Sequence, residues 1–121
     1  MRLLAFTFLF LVETVVAADP VAGKQILLGR GDANCLLCHA VPGADRPAGN
    51  IGPSLAGVGA RLAKDDIRAR IDDASRFNPK TIMPPYGRTE GLHAVAPQYR
   101  GKPLLTPAQI DDAAEFLATL K

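Results

Sequence analysis

Cys35-Leu36-Leu37-Cys38-His39 sets two thiols and an imidazole within one turn of chain. Two thiols at this separation can add to the two vinyl groups of one porphyrin, and the adjacent histidine can then lie under the iron. C-x-x-C-H is the pattern of covalent c-type haem attachment, with Cys35 and Cys38 as the thioether positions and His39 as the first axial ligand. The chain has no other cysteine, so haem attachment leaves none for a disulfide. Thiol–disulfide exchange is the chemical competitor, but it goes with a βαβ pattern that is missing from this sequence. A zinc site needs further ligands of the same kind, and only His93 is left to supply one.

The second axial position narrows by elimination. Apart from the initiator, Met83 is the only methionine, and His93 is the only histidine besides His39. Met83 stands in Thr81-Ile82-Met83-Pro84-Pro85-Tyr86, where two prolines fix local backbone angles and can aim a thioether at iron. A Met/His pair raises the haem potential. Met83 is thus the first candidate, His93 the loop alternative, and a lysine or an open position completes the set. A core-filling role is the plain reading of the same methionine. In Ile51-Gly52-Pro53-Ser54-Leu55 a rigid loop can present the Pro53 carbonyl to the free ring N–H of His39, as ligating histidines require. A plain turn accounts for this loop equally well.

These groups need a scaffold and a compartment. Met1-Arg2, the apolar run Leu3 to Val12 and the small residues Val15-Val16-Ala17-Ala18 read as a signal peptide over residues 1–18, cleaved after Ala17 or Ala18. The run is well short of the roughly 20 apolar residues that span a bilayer. No cysteine follows it to carry a lipid anchor. The expectation is a soluble, exported protein of one domain, residues 19–121. Arg2 and Glu13 balance within the leader, so the formal charge of +2 is kept, and no block of like charge marks a nucleic-acid or membrane partner. The domain lacks tryptophan and holds only Phe77, Tyr86, Tyr99 and Phe116 as aromatics. A porphyrin would supply the large apolar body that so small a core lacks.

Helical patterns dominate. Asp19-Pro20 reads as a cap and first-turn proline opening a helix to Leu28, stopped by Gly29 and Gly31. A second runs from Lys64 to Ser75 with Ile67, Ile71 and Ala74 on one face. A third begins at Thr106-Pro107 and runs to Leu120, with Ile110, Ala113, Ala114, Leu117 and Leu120 at helical spacing. No stretch alternates with period two, so strands are minor at most. The connections 41–60 and 79–103 are long and rich in glycine and proline, a length that a compact domain reserves for loops serving a site. The fold class is all-α.

Taken together, the motifs resemble class I cytochromes c: an early C-x-x-C-H, a Gly-Pro-x-Leu loop, a later Met-Pro and a closing amphipathic helix. The resemblance implies a small fold of helices and long loops around one covalently bound haem c, its first and last helices packed together. Gly23 and Leu27 are then the close-contact positions against the Leu117 face, although the interval from Gly23 to Cys35 is long for that pattern. A narrower resemblance covers nearly all of residues 19–121. Gly49-Asn50-Ile51-Gly52-Pro53-Ser54-Leu55, Phe77-Asn78-Pro79-Lys80-Thr81-Ile82-Met83-Pro84-Pro85-Tyr86-Gly87, Gly101-Lys102-Pro103-Leu104-Leu105-Thr106 and the final helix look like the SoxX-type cytochrome subunits of bacterial sulfur oxidation.

That resemblance implies a partner, a SoxA-like c-type cytochrome. The pair joins thiosulfate oxidatively to a carrier-protein cysteine (L-cysteine S-thiosulfotransferase), with the catalytic cysteine on the partner chain. This chain would be the redox subunit, passing electrons to a soluble acceptor cytochrome, and would hold no catalytic residue of its own. The competing readings are a free periplasmic electron carrier and a thiol–disulfide oxidoreductase. An apolar patch at the haem edge would suit a lasting partner and a charged ring a transient one. Phe77, Tyr86 and Tyr99 are the aromatic candidates for such a patch, with at least two of them expected in the core. Arg61, Arg88 and Arg100 can pair with propionates, though solvated surface roles account for most of them.

Overall fold

The computed structural model describes residues 13–121, and the first twelve residues of the expected signal peptide lie outside it. Four α-helices, α1 (Pro20–Leu28), α2 (Val58–Arg61), α3 (Lys64–Asp73) and α4 (Pro107–Ala118), carry the regular structure. Single 3₁₀ turns lie at Cys35–Leu37, Ala74–Arg76 and Pro97–Tyr99, and no strand occurs among the described residues. None of the described helices is long and apolar enough to cross a membrane.

The three long helices start where the sequence places them, but the last ends at Ala118, two residues short of the expected Leu120. The second closes as an α-helix at Asp73 and continues as a 3₁₀ turn, because the Asp73 carboxylate turns back to accept from the Ser75 amide. Asp19 caps α1 by accepting from the Val21 amide at 2.8 Å. Thr106 and Gln109 form a reciprocal capping box on α4. The short α2 had no signal in the sequence, for one turn of helix is too brief to show a period. α1 ends before Gly29 as the sequence predicts, and a contact with no sequence signal completes its closure: the Arg46 guanidinium donates to the carbonyls of Leu28 and Gly29 at 2.7 and 2.8 Å. It thereby satisfies acceptors left open by the helix end.

α4 is the hub. Ile110, Ala113, Ala114, Phe116 and Leu117 are all buried on it, with Leu27 of α1 and Ile67 and Ile71 of α3 in the same apolar cluster. Leu27 and Ile110 are the largest fully buried side chains, each burial contributing about 1.5–3 kcal/mol. Small residues allow this closeness. Gly23 of α1 lies so near α4 that a Cβ would stand 1.9 Å from the Asp112 carbonyl oxygen. The contact falls on the Asp112–Ala113 backbone, one turn before the Leu117 face to which the resemblance assigns it. Gly59 of α2 repeats the device at the far end of α4, 2.3 Å from the Ala118 carbonyl oxygen by the same construction, and its amide donates to Leu120 at 2.8 Å. The surface pairs Lys64–Glu115 and Arg68–Asp111 also link α3 to α4 but are exposed, so they add little.

Gly23→Ala must part the α1 and α4 backbones, an overpacking cost of about 1–3 kcal/mol. The expected result is a fall in Tm of at least about 4 °C. Gly31→Ala, where an added Cβ meets nothing within 4 Å, should leave Tm in place. Thermal denaturation followed by circular dichroism decides this, and equal melting of the two variants would remove Gly23 from its role.

Candidate haem site

Asn34 adopts a left-handed conformation (φ 35°) and turns the chain into the Cys35–Leu37 3₁₀ turn. The amides of Cys38 and His39 both point back at the Cys35 carbonyl, at 3.2 and 3.0 Å. This one turn carries Cys35, Cys38 and His39 on a shared backbone acceptor. Both cysteines are half-buried. Burial pushes the unmodified Cys35 thiol up to about 11. A thiol–disulfide oxidoreductase needs its attacking sulfur held low, as thiolate. The environment of Cys35 does the reverse.

The loop 49–55 wraps that turn along a short ladder. The Gly49 amide donates to Leu36, Gly52 to Cys38 and Leu55 to Ala40, at 2.8, 2.8 and 2.9 Å. Two of these approaches require glycine. At Gly49 a Cβ would meet the Leu37 carbonyl oxygen at 1.9 Å, and at Gly52 it would stand 2.4 Å from Cε1 of His39. The imidazole therefore lies flat against the Gly52 backbone. His39 Nδ1 is 2.7 Å from the Pro53 carbonyl oxygen. A carbonyl only accepts, so Nδ1 carries the proton and donates, leaving the Nε2 lone pair free to bind a metal. Arg61 ties the same loop to α2 by donating to the Ala56 carbonyl at 2.7 Å and the Ser54 carbonyl at 3.4 Å. Arg61 is thus engaged with backbone.

Met83 is half-buried against the apolar cluster, with its amide donating to Thr81 Oγ1 at 3.2 Å. Its strap is joined to the cysteine turn by Tyr86, whose hydroxyl donates to the Ala33 carbonyl at 2.9 Å. Burial pushes the Tyr86 phenol up to about 12, so it stays a donor. Tyr86 is thus a core residue. Tyr99 is half-buried and donates to Asp32 at 2.6 Å, and only Phe77 remains exposed, with the Arg70 guanidinium 4.0 Å from its ring centre. Leu37, Ile51 and Ile82 are also exposed, one in each of the segments that carry the cysteines, Pro53 and Met83. His93 is exposed and lines a cavity of about 290 Å³ with Pro84 and Pro85, to which none of Cys35, Cys38, His39 or Met83 contributes.

The residues fit a c-type haem on the chemistry of their donors: two half-buried sulfurs on one turn, an imidazole with its outer nitrogen engaged and its inner one free, and a thioether on a proline-held strap. Gly49, Gly52, Tyr86 and Arg61 were not singled out from sequence as holding the site. The Gly-Pro dipeptide was the available signal for Gly52, but that a ring lies on it is a fact of tertiary structure.

Comparison with known proteins places these observations. The cytochrome c family model matches residues 21–121. Among solved structures, the crystal structure of SoxXA from P. pantotrophus superposes with a TM-score of 0.77 at 29% identity, covering 88% of this chain and 84% of that one. No curated protein matches.

Gly52→Ala drives a methyl group into the His39 ring, which the Pro53 carbonyl holds at Nδ1. The expected outcome is a severe loss in the yield of chain carrying covalent haem, read as haem absorbance per protein. In whatever remains, the His39 ring resonances should shift. Wild-type yield and spectrum would show the ring to lie elsewhere.

Proposed function

From the premise that the chain belongs to the cytochrome c family, folded as a helical class I member around one covalent haem c, we propose that it is the electron-accepting, SoxX-type subunit of a periplasmic two-cytochrome complex. The observation that carries the assignment is the likeness to SoxXA, which covers 88% of this chain at 29% identity.

Cys35 and Cys38 would hold the haem through thioethers, and His39 Nε2 and the Met83 thioether would bind its iron. Bound there, the group would supply one-electron redox chemistry. The chain's own residues set the conditions. Pro53 fixes the His39 tautomer, and engaging Nδ1–H makes the imidazole a stronger donor. Cys35 is shielded from water, and the strap prolines keep the thioether within a narrow range of positions. The sulfur chemistry belongs to the partner. A bond forms between thiosulfate and a carrier cysteine, a proton and an electron pair are released, and a SoxA-like chain bears the reactive cysteine. This chain's thiols are both occupied by haem, so its share is to take the electrons and pass them to a soluble acceptor. Export follows from the same reading, with residues 1–18 removed.

Purification from the native periplasm should yield a stable 1:1 complex with a second c-type cytochrome. A monomer that shuttles electrons among many partners would establish the free-carrier reading instead. For the ligand, Met83→Ala should abolish the weak near-infrared sulfur–iron band of the oxidised protein while covalent haem is retained. Absence of that band from the wild type would remove Met83 from the ligand set.

A further inference from the structure

Asp73 is the one charged side chain buried among the described residues, at 4% exposure, and it belongs to neither the ligand set nor the apolar core. Its Oδ1 accepts from the Ser75 amide at 3.1 Å and the Ser75 hydroxyl at 2.6 Å. Its Oδ2 faces Arg88 Nε at 2.9 Å and Arg76 Nε at 3.8 Å. Asp72 takes the other side of Arg76, 3.1 Å from its terminal nitrogen. The Arg88 Nε is itself buried and has no aligned hydrogen-bond acceptor, so its tie to Asp73 is one of charge.

The placement of these contacts matters more than their number. The chain leaves the Ala74–Arg76 turn, which Asp73 caps, directly into the strap: the amides of Phe77 and Asn78 both donate to the Ala74 carbonyl at 3.1 Å. The strap returns to the same spot. Tyr86 and Gly87 donate their amides to the Ile71 and Asp72 carbonyls at 3.2 and 3.1 Å, and the next residue is Arg88. Gly87 fits so closely that a Cβ would stand 2.0 Å from Asp72 Oδ1. Both ends of the segment 77–88 therefore rest on the end of α3, and the Asp73 carboxylate touches the outgoing end through Ser75 and the returning end through Arg88.

We propose that Asp73 is the positioning residue of this strap, clasping its two ends so that the Met83 thioether is held ready for iron instead of wandering. The inference rests on the reading that Met83 is the axial ligand. A loop pinned at its base has few conformations to lose when its tip binds, so the bond at the tip is tighter for the same contacts. Removing the carboxylate leaves the Arg88 guanidinium with no counter-charge at a half-buried site, and the returning arm is freed. Pro84 and Pro85, with fixed φ, carry the restraint at Tyr86–Arg88 back to Met83.

The test is an imidazole titration of the oxidised, haem-loaded protein, followed by loss of the sulfur–iron band. Asp73→Asn and Arg88→Gln should keep covalent haem and the band, but yield Met83 to imidazole at about tenfold lower concentration, 1.4 kcal/mol by the usual conversion. Both should also lower the reduction potential, because a weaker thioether favours reduced iron less. Asp111→Asn cuts a half-exposed α3–α4 ion pair away from the strap ends and serves as the control for general loosening; it should titrate as wild type. Should Asp73→Asn fail to fold, Arg88→Gln alone decides, since Arg88 is half-exposed. Wild-type titration by the clasp variants, or an equal shift in Asp111→Asn, overturns the clasp while leaving the ligand intact. Absence of the band from the wild type is a different result: it removes the ligand, and the clasp with it.

Discussion

An imidazole pressed flat on a glycine and tied by its outer nitrogen to a carbonyl is the constraint from which most of this structure follows. His39 cannot hold that pose unless Gly52 lacks a side chain and Pro53 directs its carbonyl inward. Those two residues stay in place because the loop 49–55 is laddered onto the cysteine turn and clamped by Arg61 to α2. α2 in turn is fixed by the contact of Gly59 with the end of α4. The same α4 receives α1 at Gly23 and buries Leu27 in the common core. A ring orientation at one point thus passes through backbone contacts to the whole helical frame. The recurring device is glycine at close approaches, where close-packed neighbours leave no room for even a methyl group.

The two sides of the site are held by different physics. The His39 side is short-range and rigid: consecutive residues, backbone hydrogen bonds and a ring with no free rotation. The Met83 side is a long strap, and a long strap keeps its place only through its ends. Those ends converge on α3, where Tyr86 and Gly87 pair with helix-end carbonyls and a buried carboxylate faces an arginine. Tyr86 then bridges the two sides with one hydroxyl, donated to the carbonyl of Ala33 just ahead of the cysteines. Rigidity on one face with a clasped strap on the other suits a redox site, because small nuclear movement between oxidation states keeps electron transfer fast.

Much of the site was legible in the sequence because its chemistry is local. Cys35, Cys38 and His39 lie within one turn, and no long-range contact is needed to bring them together. Met83 stood out because the described chain offers no second methionine. The helices announced themselves through caps and period: Asp19-Pro20, Thr106-Pro107 and the apolar stripe of α4. The aromatic patch was less accessible. Tyr86, Tyr99 and Phe77 look alike in sequence, yet one is core, one is tied to Asp32 and one is exposed, a difference set by what packs against each.

The sequence by itself therefore determined the cofactor chemistry, the all-α class and the starts of the main helices, since each depends on residues close along the chain. Tertiary structure alone decided which glycines are contact points, that Arg46 closes α1, and that Asp73 gathers both ends of the strap. Arg46 and the carbonyls it caps are some seventeen residues apart, and Asp73 and Arg88 some fifteen. Contacts at such separations leave no periodic trace. They arise only when hydrophobic burial has folded the helices together and buried polar groups must find partners in whatever lies nearby.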